Sequence, residues 1–208
     1  GLINEILDLS KVEAGKMPID PKEVRVTDVA ESVEQTFRHV ADQKNIGFEI
    51  SVDPSIPGNM CTDINRLHQI LKNLLSNAFK FTETGKVELK VTVADPFAMG
   101  NVASDQTVLA FSVKDTGIGI PQEKQNMIFE AFQQADGTTS RKYGGTGLGL
   151  TISREIARLL GGWIEVKSKP GVGSTFTLFL PQNYTGVEAK QLSASTRESA
   201  TEPLMEVP

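Results

Sequence analysis

The sequence predicts an α+β two-layer sandwich, with helices packed on one face of a single sheet. Apolar residues recur at helical spacing in some segments and at alternate positions in others. The two kinds are interspersed without the strict strand–helix alternation of a doubly wound parallel sheet. No internal repeat period appears.

Length and composition set the limits. The 208 residues suffice for one domain with its own core and a tail. An apolar share of 39% and a charged share of 23% are those of a soluble globular protein. A net charge of -5 and a pI near 5.2 leave no basic excess to neutralise phosphodiester backbones, so nucleic acid is excluded as the main partner. Cys61 is the one cysteine, so no disulfide forms within the chain, and a reducing, cytoplasmic compartment fits. It reads as a small buried hydrophobe. Neither a membrane-spanning run nor a signal peptide is expected, which is compatible with a longer, membrane-anchored parent protein.

Leu2, Ile3, Ile6, Leu7, Leu9 and Val12 mark a first helix, closed by Gly15 and Pro18. So short a helix cannot bury its own stripe; it should pack on a missing partner, pair with a twin, or fold back. Val26, Val29, Val33, Phe37 and Val40 mark a second helix. Ile46, Phe48, Ile50 and Val52 alternate as a strand stopped by Pro54 and Pro57. A third helix runs from about Asp63, its N-cap, to Phe81, with Leu67, Ile70, Leu71, Leu74, Leu75 and Ala78 as core stripe. Val87 to Val93 alternate as a strand, 95–106 read as a loop, and Leu109, Phe111 and Val113 form the strand that ends on Asp115. A short helix starts at Pro121. Residues 133–146 read as a mobile loop, and a helix follows from about Gly147 to Leu160. Strands at Trp163–Ser168 and Ser174–Leu180 are joined by a turn at Lys169-Pro170-Gly171. Beyond Pro181 the composition is that of a linker or disordered tail.

Three constellations carry chemistry. Asn73, Asn77 and Lys80 stand at i, i+4 and i+7, on one face of the third helix. Amide oxygens there suit a metal ion and the ammonium suits phosphate oxygens; alone, the stripe equally reads as a solvated face. Asp115-Thr-Gly117-Ile-Gly119-Ile120-Pro121 follows a strand, placing a carboxylate beside backbone that can approach a flat ring. Alone, it equally reads as a tight turn. Gly144-Gly145-Thr146-Gly147-Leu148-Gly149-Leu150 enters a helix, so its backbone N–H groups offer an anion site. It has neither the P-loop lysine nor the dinucleotide glycine spacing, and alone it could be a connector.

Together with Phe129-x-x-Phe132 and Gly171-x-Gly173-Ser-Thr175-Phe, these motifs stand in the order of the N, glycine, F and final glycine boxes of sensor histidine kinases. The chain resembles that family over roughly residues 1–181, and its wording is nearest the hybrid type. The resemblance implies the Bergerat fold, with a mixed sheet, shared with gyrase, chaperone and mismatch-repair ATPases. It implies ATP and Mg²⁺ as ligands. Asn77 would be the principal metal ligand, with Asn73 beside the metal or its waters. Lys80 would meet the phosphates, which with Asn73 makes up the expected catalytic pair. Asp115 would read the adenine amine, with Gly117 and Gly119 lining the base pocket. Gly145, Thr146, Gly147, Leu148 and Gly149 would bind the phosphate chain, Arg141 and Lys142 would reach the γ-phosphate from a lid, and Thr175 would close the adenine side.

Residues 1–17 resemble the end of a dimerisation and phosphotransfer hairpin helix, 18–181 the ATP-binding catalytic domain, and 182–208 a linker or tail, such as one leading to a receiver domain. The implied activity is γ-phosphoryl transfer to a histidine on a hairpin domain, in a homodimeric parent that then serves a response-regulator receiver. His39 and His68 lack the acidic neighbour of a phosphoacceptor, so neither is expected to accept. Two other classes remain: a regulatory nucleotide-binding module, and a chaperone- or topoisomerase-type ATPase. The latter carries a water-activating glutamate where this helix has Asn73.

Overall fold

The computed structural model describes residues 2–94, 107–130 and 147–186. Helix α1 spans Leu2–Glu13, strand β1 Lys22–Arg25, helix α2 Val26–Lys44, β2 Gly47–Val52, β3 Asn59–Thr62 and helix α3 Ile64–Phe81. Strands β4 (Lys86–Val93) and β5 (Val108–Asp115) follow, then 3-10 turns at Gln122–Lys124 and Met127–Phe129. Helix α4 (Gly149–Leu159) and strands β6 (Trp163–Lys169) and β7 (Gly173–Pro181) complete the described part.

Five strands make one mixed sheet in the order β2-β4-β5-β7-β6, in which only β2 and β4 run parallel. Alternation sends Val87, Leu89 and Val91 of β4, Leu109, Phe111 and Val113 of β5, and Phe176, Leu178 and Leu180 of β7 to one face. There they meet α2, α3 and α4 in a single core. The expected two-layer sandwich is thus the observed architecture. On the opposite face Ala94, Val108 and Ala110 form a small second cluster, where Trp163 stacks on Phe179 at 4.8 Å.

Helix α3 is the central element. Leu67, Ile70, Leu71, Leu74 and Leu75 are completely buried. Removing any one of them to alanine costs about 2–5 kcal/mol, against about 0.2–1 kcal/mol for an exposed ion pair such as Lys86–Glu49. Packing therefore sets this helix's rotation. Its ends are also tied. Asp63 caps it by accepting from the Asn65 and Arg66 N–H groups, and its second oxygen accepts from Asp20 N at 3.0 Å. At the other end Lys44 Nζ donates to the Phe79 carbonyl at 2.7 Å.

Three features depart from the sequence expectation. The antiparallel β1–β3 ribbon has no alternating signature in its two short strands, Lys22–Arg25 and Asn59–Thr62, and pairs residues far apart in the chain. Cys61 is half-buried on that ribbon and not a core residue. The ordered domain also continues past Pro181: Gln182 accepts from Cys61 N at 2.7 Å, and Tyr184 N donates to the Cys61 carbonyl at 3.0 Å. Of the outcomes expected for α1, the structure shows folding back. Leu9 and Val12 join the core and α1 rests on α4, while Ile3 is 75% exposed and Leu7 51%. The expected loop at 95–106, the 133–146 segment and the tail from 187 lie outside the described residues.

His68 supplies a test of this packing. Its Nε2 is buried without a hydrogen-bond partner among the described residues, and burial holds its imidazole below the ordinary value of 6.5. As pH falls below 6.5, the unfolded chain takes up a proton here that the folded chain still refuses, so folding loses stability through that window. His68→Leu should flatten the fall in melting temperature between about pH 7 and about pH 5.5. A slope identical to the wild type's would show that His68 titrates alike in both states.

Candidate functional site

The seam of α3 that faces the core turns Asn73, Asn77 and Lys80 toward α4 and the end of the sheet. Asn73 is engaged across the helix pair: its Nδ2 donates to Ser153 Oγ at 2.9 Å. Its Oδ1 lies so close to Gly149 that a Cβ there would stand 2.4 Å away, so a larger residue at this position would displace the Asn73 amide. Asn77, one turn on, is half-buried, and its side chain makes no hydrogen bond to another described residue. Lys80 Nζ lies 4.9 Å from the centroid of the Phe81 ring, and burial lowers its pKa. A partly desolvated ammonium attracts an anion more strongly than one in bulk water does.

Strand β5 delivers Asp115 into the interior at the C-terminal end of α3. Its Oδ1 accepts from Gly117 N at 2.8 Å and from Ser174 N at 3.3 Å, whereas Oδ2 has no hydrogen bond to a described residue. Burial pushes the carboxyl above its ordinary range, and those two N–H groups pull it part of the way back. The turn that follows is clamped between α3 and the β6–β7 connection. Ile118 N donates to the Phe81 carbonyl and Gly171 N to the Ile118 carbonyl, with Gly119 seated against Lys169. Gly173 has φ +127, and a Cβ there would lie 2.0 Å from the Asp115 carbonyl oxygen, so this close crossing demands glycine.

The pairing of β5 with β7 corrects one expectation. Thr175 stands opposite Lys114 and Lys167, on the sheet face away from the helices. Ser174 is the buried residue beside Asp115, because a strand inverts face at every residue.

Helix α4 begins at Gly149, with Leu148 buried before it and no side-chain cap. Its first turn therefore faces the α3 amides with backbone N–H groups as the available donors. Thr151 Oγ1 ties the same turn to the Phe129 carbonyl at 3.0 Å. Phe129 packs edge-on against Phe176 at 6.4 Å with Arg154 over its ring, a core position. Phe132, Arg141, Lys142, Gly145 and Thr146 lie outside the described residues, and Gly147 opens the segment at φ +71. Ser153, Ser168, Ser174 and Gln125 were not singled out in the sequence. Ser174 did leave a trace there, as the serine of the Gly171-x-Gly173-Ser-Thr175-Phe motif.

Comparison with known proteins bears on these elements. Residues 62–184 match the model of the family described as histidine kinase-, DNA gyrase B- and HSP90-like ATPases. The chain is 41% identical over 180 residues to the autoinducer 2 sensor kinase/phosphatase LuxQ of Vibrio vulnificus, covering 86% of this chain and 20% of that protein. It is 38% identical over 202 residues to hybrid signal transduction histidine kinase K of Dictyostelium discoideum, covering 96% and 17%. Against the signal transduction histidine-protein kinase BarA of Escherichia coli the figures are 37% over 175 residues, 84% and 18%. The chain thus spans about a fifth or less of the length of these relatives. Among solved structures it is similar to full-length ShkA in complex with AMPPNP, with TM-score 0.74, 30% identity, and coverage of 89% of this chain and 36% of that one. The catalytic domain of histidine kinase ThkA gives TM-score 0.62, 26% identity, and coverage of 79% and 99%.

The burial of Asp115 has a measurable consequence. Its pKa is raised in the fold, so the protonated form favours folding, and ionisation with rising pH costs stability. Asp115→Asn keeps an oxygen for the Gly117 and Ser174 N–H groups and removes the buried charge. The variant should melt no lower than the wild type at neutral pH. A clear drop in melting temperature would show that the carboxylate's charge is itself needed by the fold.

Proposed function

Because this chain belongs to the histidine kinase-, DNA gyrase B- and HSP90-like ATPase family, and is the ATP-binding catalytic domain of a histidine kinase, we propose that it transfers the ATP γ-phosphoryl group to a histidine on a helical-hairpin domain. One observation supports this above the others. The uncapped start of α4 is clasped, through Asn73 and Ser153, against the helix face that bears Asn77 and Lys80. Backbone donors, an amide oxygen and an ammonium thereby converge where a polyphosphate can lie. Asp115, past the other end of that face, presents Oδ2 as an acceptor for the exocyclic amine of adenine.

The residues also suit Mg²⁺. No group of acidic, histidine or cysteine side chains that could enclose a metal exists among the described residues. Mg²⁺ is commonly held by substrate phosphates and water with few protein ligands, and Asn77 supplies one amide oxygen for that arrangement. The ion, when bound with the nucleotide, would neutralise phosphate charge. Lys80 adds a second positive charge, and the α4 backbone fixes the orientation of the phosphate chain. In the transfer an imidazole nitrogen forms the new N–P bond as the bond from the γ-phosphorus to the bridging oxygen breaks. ADP leaves with that electron pair, and the imidazole proton passes to a base on the acceptor domain. Positioning and charge neutralisation carry most of the acceleration.

The chaperone- or topoisomerase-type alternative requires a base to activate water at Asn73. An amide does not take up a proton near neutral pH, and the N–H side of this one is already committed to Ser153. That geometry makes Asn73 a brace between helices and leaves metal binding chiefly to Asn77. The acceptor histidine lies on another domain. His39 is exposed on α2, and His68, five residues before Asn73, points about 140° away from it around the helix. We further assign the domain to the cytoplasm, where ATP is available, and its phosphoryl group ultimately to the aspartate of a receiver domain. Among the described residues no helix is long and apolar enough to cross a membrane.

Asn77→Ala should weaken AMPPNP with Mg²⁺ at least about tenfold more than it weakens ADP without metal, measured by calorimetry. Equal losses would remove Asn77 from the metal. Incubated with γ-labelled ATP, the chain alone should gain no acid-labile phosphate, and an added hairpin domain carrying its histidine should become labelled. Phosphohistidine mapped by mass spectrometry to His39 or His68 would contradict this assignment.

A further inference from the structure

Behind the glycine turn runs a buried polar chain that the proposed reaction leaves unused. Gln125, just after the 3-10 turn at Gln122–Lys124, is buried, and its Nε2 donates to two carbonyls: Ile120 at 3.0 Å and Ser168 at 2.9 Å. Ser168 Oγ accepts from Ile120 N at 2.7 Å. The same hydroxyl reaches the Gly173 carbonyl at 3.0 Å and Ser174 Oγ at 2.9 Å. Ser174 N in turn donates to Asp115 Oδ1. Both amide hydrogens of Gln125 are committed, and Ser168 joins the turn after Asp115 to the β6–β7 connection.

Simple core filling does not require this pattern. A leucine would occupy a similar volume without two N–H donors that must find acceptors. The bonds instead bind two separate turns into one wall, and the last bond of the series ends on Asp115. We propose that Gln125 and Ser168 are positioning residues for base recognition, which lock the glycine turn and the β6–β7 turn together and thereby aim Asp115 Oδ2 at the adenine amine. This rests on the reading of Asp115 as the base-recognising carboxylate. Without Gln125 or Ser168 the two turns separate by a fraction of an ångström, Oδ1 loses its second donor, and the carboxylate rotates. Among the described residues no hydrogen bond joins Gln125 or Ser168 to Asn73, Asn77 or Ser153. The change therefore falls on the base and not on the triphosphate.

Calorimetric titration of AMPPNP and of inosine triphosphate, which has a carbonyl in place of the amine, separates the two contributions. The wild type should prefer the adenine nucleotide. Gln125→Leu and Ser168→Ala should each weaken AMPPNP about tenfold, the weight of a well-made hydrogen bond to a charged group, and leave inosine triphosphate nearly unchanged. Equal weakening of both nucleotides in a cooperatively melting variant would overturn the proposal and make these residues structural only. Should Gln125→Leu not fold, the smaller Ser168→Ala change decides by the same ratio. Failure of the underlying reading has its own signature. A wild type without adenine preference, and Asp115→Asn binding AMPPNP as tightly as wild type, would overturn the role of Asp115 and this inference with it.

Discussion

The apolar seam of α3 holds the domain together and also aims its chemistry. Five side chains from Leu67 to Leu75 have no exposure, and each contributes about 1.5–3 kcal/mol by leaving water. A helix so anchored cannot turn on its axis, since a shift of one residue would rotate the seam by about 100° and expose it. The polar residues on the opposite side inherit that fixity. Asn73, Asn77 and Lys80 need no scaffold of their own, because the rotation of α3 is already decided by what lies beneath them.

The second helix of the site is placed differently. Helix α4 has its own buried residues, Ile152, Ile156 and Ala157, but its start is fixed by contact with Asn73. A glycine at the crossing and a hydroxyl one turn later let one amide hold both helices. The two are close-fitted: a methyl group at Gly149 would push the Asn73 amide off its present place. The backbone N–H groups that open α4 and the amides of α3 thus come from different helices joined by a polar brace inside an apolar interface.

Around Asp115 the physics runs the other way. Burying a carboxylate costs stability, and the fold offsets part of that with two backbone N–H groups on one oxygen. A residue kept at such a cost, with its other oxygen without a partner among the described residues, is better explained by recognition than by stability. The β6–β7 turn, the glycine turn and the end of α3 meet there, and Gly173 permits the crossing. Folding back of α1 adds Leu9 and Val12 to the same core and leaves Ile3 and Leu7 in water, so that helix belongs only in part to the domain beneath it.

Local periodicity sufficed for much of this. The 3.6-residue rhythm of Leu67 to Ala78 fixed α3 and its polar face, and Asp63 announced the N-cap that the structure shows. Alternation fixed β4, β5 and β7, and with them Asp115 at a strand end before a glycine turn. These are properties of residues close in sequence, where one rhythm names the buried side. Tertiary structure decided what depends on partners far along the chain. The β1–β3 ribbon pairs residues such as Glu23 and Cys61, and neither strand is long enough to show a period. Ser174 rather than Thr175 adjoins Asp115 because pairing with β5 assigns the faces, and the Asn73–Ser153 and Gln125–Ser168 bonds span 80 and 43 residues. A hydrogen bond made by a side chain leaves no periodic mark in either segment, so only the packed fold could reveal which polar groups had found each other.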